Sequence, residues 1–243
     1  LDAVIQEPGH GLYEQGRMQN GRDLPVSEAL TMAIHESQSL FWERMIAQGK
    51  LFCARYLPLV AETFPNNFKG VNPEQFYEAV NVSGPSLIRV EADEVTYPMH
   101  VILRYELEKG LFDGSIQVEH LPEMWNAKMK EYLGVEPPTD TLGVLQDTHW
   151  SGGAFGYFPS YTLGAIYASQ FYQALIRAEP GIEKQIEMGN LAPVREWLGI
   201  QIHQQGRLLS VPALVKRVTG ENLNPDHFLD YLKNKYRQIY RLN

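Results

Sequence analysis

Residues 6–16 read Gln6-Glu7-Pro8-Gly9-His10-Gly11-Leu12-Tyr13-Glu14-Gln15-Gly16. The first five differ by one residue from the pattern H-E-x-x-H. That pattern needs a helix, because residues i and i+4 then lie one above the other on a single face. Two imidazoles in that register grip one zinc ion, and the intervening Glu acts on zinc-bound water. Here Gln6 stands at the first histidine position, which leaves Glu7 and His10. By itself an E-x-x-H pair is a frequent chance pattern on a solvated helix face.

The flanking sequence continues the helical reading. Residues 3–16 form a helical candidate ending at Gly16, followed by a polar loop, Asn20-Gly21-Arg22-Asp23-Leu24-Pro25. Ser27 is the expected N-cap of a long helix through Gln48, closed by Gly49, with Leu30, Ile34, Phe41 and Met45 at helical spacing. Further helices are expected over 51–64, 73–80 (Asn72 as cap, Pro73 at the first position), 93–109 with a kink at Pro98, and 119–133. The set closes with 161–178, 191–204, 211–218 and 225–240. Ser86-Leu87-Ile88-Arg89-Val90 is the one strand candidate. Residues 143–160, rich in Gly and aromatics, read as a structured loop. The expected fold is mainly α, with at most a small β element, in a single helical domain over 1–243; no βαβ rhythm supports a dinucleotide-binding fold.

Composition sets the outer limits. The chain has 243 residues, 44% of them apolar and 21% charged, enough to build a core. Its net charge of −8 argues against binding nucleic acid. No apolar run exceeds four residues, so no membrane-spanning helix is expected. The single cysteine, Cys53, allows neither an intrachain disulfide nor a cysteine metal site, and a reducing cytoplasm is the expected compartment. The start, Leu1-Asp2-Ala3-Val4-Ile5, has neither an initiator methionine nor the look of a signal peptide.

Three more stretches carry chemistry-bearing residues. His35-Glu36-Ser37-Gln38 offers a carboxylate 26 residues after His10, on the far side of the 20–25 loop. A His2Glu zinc site takes its third ligand from such a Glu, so His10 and Glu36 are expected to meet at one point. Ile88-Arg89-Val90-Glu91-Ala92-Asp93 presents an Arg able to hold a carboxylate bidentately, or simply to form an ion pair. Residues 143–161 cluster Asp147, His149, Trp150, Tyr157 and Tyr161 in a loop, where functional sites concentrate. A di-iron bundle would need a second E-x-x-H, which the sequence lacks.

Together these stretches resemble the carboxypeptidase Taq family of zinc metallocarboxypeptidases. Its signatures run H-E-x-x-H into A-L-Y-E-Q-G, then H-E-S-Q, I-R-x-x-A-D and G-x-x-Q-D-x-H-W. The corresponding stretches here are Gln6 to Gly16, His35 to Gln38, Ile88 to Asp93 and Gly143 to Trp150, in family order, the last three without substitution. The resemblance implies an almost all-helical metallopeptidase fold about twice this length, of which the chain matches the C-terminal catalytic half. It implies release of single residues from peptide C-termini. Zinc would polarise the scissile carbonyl and lower the pKa of its water to about 7.

By the same resemblance Glu7 corresponds to the general base, and His10 and Glu36 to metal ligands. Arg89 would anchor the substrate carboxylate, and His149, with Tyr157 or Tyr161, would stabilise the oxyanion. Two departures stand out. Gln6 is a poor substitute for imidazole on zinc, so zinc is expected to bind weakly or not at all. The family's upstream D-x-R-x-T motif is absent. The alternative reading is an inactive pseudoenzyme or truncated fragment that binds peptides or partners. Pro8 is compatible with the motif helix if that helix starts near Ile5 or Gln6. A homodimer is the expected assembly, because half of the parental fold would leave apolar surface uncovered.

Overall fold

The computed structural model describes residues 2–21 and 23–242, with side chains from residue 4 onward. Arg22 of the 20–25 loop lies outside the described residues. Eleven α-helices follow one another among them: Asp2–Gly16 (α1), Met32–Leu40 (α2), Lys50–Thr63 (α3), Pro73–Val80 (α4), Tyr97–Asp113 (α5), Leu121–Leu133 (α6), Pro159–Ala178 (α7), Ile182–Glu187 (α8), Ala192–Gln201 (α9), Val211–Thr219 (α10) and Asp226–Tyr240 (α11). No strand occurs among the described residues, and none of their helices is long and apolar enough to cross a membrane. The chain divides into two compact units, Leu1–Asn81 with Leu163–Asn243, and Val82–Thr162.

The first unit is built around α2. Seven of its nine residues are buried, including Glu36, Ser37, Gln38 and Ser39. Buried polar groups need partners, and these have them. Ser37 Oγ donates to Ile34 O (2.6 Å), Ser39 Oγ donates to Glu36 O (2.8 Å), and Gln38 Oε1 sits 2.9 Å from His203 Nε2. Ile34, Phe41, Phe171, Leu175, Val194 and Leu198 form the apolar body around this polar string. The α1 backbone lies directly on α2 at Gly9, where a Cβ would come within 2.6 Å of Ser39 Cα and 2.8 Å of Gln38 O. On another side, a Cβ at Gly164 of α7 would meet Glu36 Cγ at 2.7 Å. Only glycine permits either approach.

Several sequence expectations are corrected here. Ser27 does not cap α2: it closes a 3₁₀ turn, Pro25–Ser27, and its hydroxyl donates to Leu24 O at 3.0 Å. Thr31 caps instead, accepting from Ile34 N. The helix then passes into a π-helical stretch, Phe41–Ala47, a geometry that is rare and often sits near functional sites. Pro8 lies well inside α1, which starts at Asp2, so the Val4 carbonyl loses its helical donor; Pro8 itself is exposed. The Asn72–Pro73 start of α4 is as expected, with a reciprocal capping box between Asn72 and Gln75. The short α8 was not foreseen.

The second unit replaces the expected strand with extended chain and a 3₁₀ turn, Arg89–Glu91. Arg89 N donates to Gln146 Oε1 (2.8 Å) rather than to a neighbouring strand. Helix α5 starts later than expected, because the Asp93 carboxylate accepts from Val95 N, Thr96 N, Thr96 Oγ1, Gly84 N and Ser83 Oγ and so holds 93–96 in a turn. Pro98 therefore falls in the first turn of α5, where it costs no hydrogen bond and makes no kink. Leu103, Leu107, Trp125, Met129 and Leu133 join α5 to α6.

Helix α5 also buries His100 completely, with neither ring nitrogen bonded among the described residues. Burial, with Arg104 and Arg89 nearby, lowers its pKa to about 4.

Two predictions follow from this packing. Gly9→Ala should destabilise the protein by about 1–3 kcal/mol in urea unfolding, since the α1–α2 contact must open to admit the methyl group. His100 is neutral when folded but protonates below its ordinary pKa of 6.5 when unfolded. Its contribution to stability should be complete above pH 6.5 and fall by up to ~1.4 kcal/mol per pH unit on the way down to about pH 4. Urea midpoints of His100→Leu should depend less steeply on pH than those of the parent over that window.

Candidate active site

Two clusters carry the residues singled out from sequence, one in each unit. In the first, α1 presents Gln6, Glu7 and His10, and the Gly9 contact sets this face against α2. His10 Nε2 and Glu36 Oε2 are 3.4 Å apart, so the expected meeting of these two side chains is realised. On its other side His10 Nδ1 lies 2.7 Å from His35 Nδ1, and His35 Nε2 lies 3.0 Å from Glu14 Oε1. Glu14 in turn pairs with Arg17 at 2.6 Å.

Two facing imidazole nitrogens share one proton, so one ring donates to the other. The His10–His35 contact occupies Nδ1 of His10 and leaves its Nε2 to face Glu36, an arrangement typical of ligand histidines and their outer partners. Burial disfavours the charged form of His10, but the Glu36 carboxylate outweighs it and raises the pKa above the ordinary imidazole value. Glu7 is exposed and within electrostatic reach of His10.

This donor set does not fit a catalytic zinc ion. One imidazole and one carboxylate converge, position 6 holds a neutral amide, and no group of three His, Cys, Asp or Glu side chains is arranged for a metal among the described residues. The three-ligand pattern is one imidazole short.

In the second unit α5 holds the loop that follows α6. Arg104, fully buried, donates through Nε to Asp147 Oδ2 (2.7 Å), through Nη2 to Gln146 Oε1 (2.8 Å) and through Nη1 to His100 O (2.7 Å). Arg89 donates through Nε and Nη2 to Asp147 and through Nη1 to Tyr97 OH (2.7 Å). Burial pushes the Asp147 carboxyl up, but the two guanidinium groups hold it below the usual carboxylate range. All three nitrogens of Arg89 are engaged and its side chain is 5% exposed. Asp147 is thus its carboxylate partner within the protein, shared with Arg104.

His149 follows Asp147 closely in the chain. Its Nδ1 is 3.8 Å from Asp147 Oδ1 and its Nε2 is 2.8 Å from Tyr161 OH. Burial lowers the His149 pKa, with Arg89 and Arg104 adding to it against Asp147. Tyr157 packs its ring beside both, with centroids 5.5 Å from His149 and 5.4 Å from Tyr161. Of the two tyrosines, Tyr161 gives its hydroxyl to the histidine.

Sequence reasoning missed Arg104, Glu108, Glu14 and the pairing role of His35. Arg104 and Glu108 did leave a signal. Both are charged yet fall at i and i+4 beside the core residues Leu103 and Leu107, on the buried side of their helix.

The comparisons with known proteins agree with one another. Residues 1–236 match the family model described as carboxypeptidase Taq (M32) metallopeptidase. Carboxypeptidase 1 of Bacillus subtilis is 44% identical over 239 residues, covering 98% of this chain and 48% of that protein. Thermostable carboxypeptidase 1 of Thermus thermophilus is 44% identical over 238 residues, covering 98% of this chain and 46% of that one. Among solved structures, the M32 carboxypeptidase from Deinococcus radiodurans superimposes with a TM-score of 0.95 at 37% identity, over 99% of this chain and 48% of that chain. Trypanosoma cruzi metallocarboxypeptidase 1 gives 0.92 at 40% identity, over 98% and 50%. The chain spans about half the length of the curated relatives it matches, and it belongs to the carboxypeptidase Taq (M32) family of metallopeptidases.

Proposed function

We propose that this chain carries the metal-side portion of a carboxypeptidase acting on peptide C-termini, and that in the form written here it holds zinc weakly and turns over little substrate. One observation carries the reading: His10 and Glu36 stand 3.4 Å apart, and the residue four before His10 on the same helix is a glutamine. The frame for two ligands is kept and one donor is replaced. Glu7 is the proposed general base, since it sits on the same helix face region as His10 and is open to solvent. His149 and Tyr161, with Tyr157 alongside, are the proposed donors toward the negative charge that develops on a carbonyl oxygen. Arg89, paired with Asp147 and lying over the Tyr161 ring, is the proposed anchor for the substrate's terminal carboxylate.

Gln6 also favours a second reading, a pseudoenzyme that binds peptides without cleaving them. The two readings part on a repair experiment. Gln6→His should raise zinc affinity by roughly 10–100-fold or more, the range lost when even an outer partner is removed, and the gain should shrink when Glu36→Ala is added. Peptidase activity gained with the zinc supports the carboxypeptidase reading, and zinc without activity supports the pseudoenzyme. Unchanged affinity would show that position 6 does not face the metal.

We also propose a cytoplasmic homodimer. Cys53, the one cysteine, is buried with its Sγ donating to Ala47 O at 3.5 Å, which suits a reducing compartment. The first unit exposes Leu59 and Phe64 near an apolar groove of about 330 Å³ lined by Ile5, Trp42, Phe52, Tyr56 and Leu191, surface of the kind that drives association. Light scattering at high concentration should give twice the chain mass; a strictly monomeric mass contradicts the dimer.

A further inference from the structure

Glu108 is a buried acid without a counter-ion. It is 8% exposed, and no Lys or Arg pairs with it among the described residues. Instead its two oxygens accept from a single loop. Trp150 Nε1 donates to Oε2 at 2.7 Å, and the backbone N–H of Gly156 donates to Oε1. Residues 150–156 have no regular structure beyond turns, and two of their glycines, Gly153 and Gly156, sit at φ +78 and +70, a conformation that other residues rarely adopt. The segment's local bonds are turn bonds, such as Gly152 N to Thr148 O (3.0 Å) and Ala154 N to His149 O (2.8 Å), and they do not tie it to a helix. One carboxylate ties its first and last residues to the same turn of α5. A charge-assisted bond is about twice as strong as a neutral one, and here there are two on one group.

The residues flanking this segment are His149 and Tyr157. Their rings lie 5.5 Å apart, and His149 is bonded to Tyr161. We propose that Glu108 is a positioning residue: by stapling the two ends of the 150–156 loop it holds His149 against Tyr157 and Tyr161. The inference rests on the proposed function only for the use made of those three side chains. Arg104, four residues earlier on α5, fixes the chain just before His149 through Gln146 and Asp147. Glu108 fixes the chain just after it. Besides Tyr157 and Tyr161, the charged groups that bear on His149 are Asp147, Arg89 and Arg104, and none of them is altered in the test.

The test uses the full chain with Glu108→Gln, which keeps size and shape but offers one acceptor and one NH2 group to two donors. Three quantities are read by NMR alongside the melting temperature: His149–Tyr157 cross-peaks, the His149 titration midpoint, and amide exchange at Gly156. The expected result is loss of the cross-peaks, a midpoint moving up toward 6.5, and exchange faster by about 10-fold or more. Trp150→Phe removes one of the two donors and should give part of each effect. In the double variant it should add little to Glu108→Gln, and it carries the test alone if Glu108→Gln does not fold. A folded Glu108→Gln whose His149 cross-peaks and midpoint match the parent overturns the proposal, even if its melting temperature falls. Because no metal enters these readouts, a failure of Gln6→His to gain zinc overturns the functional reading and leaves this result standing on its own.

Discussion

The approach of α1 to α2 at Gly9 is the contact on which the first unit depends. With no side chain at that point, the backbone of one helix rests on that of the other, within reach of Ser39 Cα and Gln38 O. His10 is the next residue along α1, and Glu36 lies one turn back on α2. Their 3.4 Å separation follows from the helix contact. The glycine at 164 repeats the device from α7, fitting against the Glu36 side chain itself. Glu36 is thus confined from two sides, and its geometry belongs to the packing of the core.

That confinement makes the His10–Glu36 geometry independent of which residue stands at position 6. The chain Glu36–His10–His35–Glu14–Arg17 is closed within the protein. Each member lies against the next, and the buried Glu36 carboxylate has His10 as its partner. The second unit shows the same economy. Asp147 is held by two arginines, and those arginines also donate to Gln146, Tyr97 and a helix carbonyl. Breaking any of these buried partnerships would be far more costly than breaking a surface pair.

Much of this was legible in the sequence, and the reasons differ by residue. Helix existence followed from apolar spacing and from cap signals such as Asn72–Pro73, where the local chemistry is self-contained. The boundaries failed where a side chain served the tertiary structure instead. Ser27 donates to a carbonyl rather than capping, and Asp93 gathers five donors and delays α5. Residues 86–90 look like a strand because they are apolar and β-branched, but their backbone partner is the Gln146 side chain, 57 residues away from Arg89. The meeting of His10 and Glu36 was readable from motif order. The pairing of Arg89 was not, because Tyr97 and Asp147 become its partners only once α5 and the loop are folded.

The proposed ligand frame, His10 with Glu36, is intact and one donor short. The most direct measurement is the zinc content of the unmodified chain after exchange into metal-free buffer, followed by calorimetric titration with zinc. The account predicts that no stoichiometric zinc is retained and that added zinc binds weakly, because two protein ligands do not make the three-ligand site. One zinc retained per chain, and lost on His10→Ala, would contradict it and show that Gln6, water or another residue completes the site.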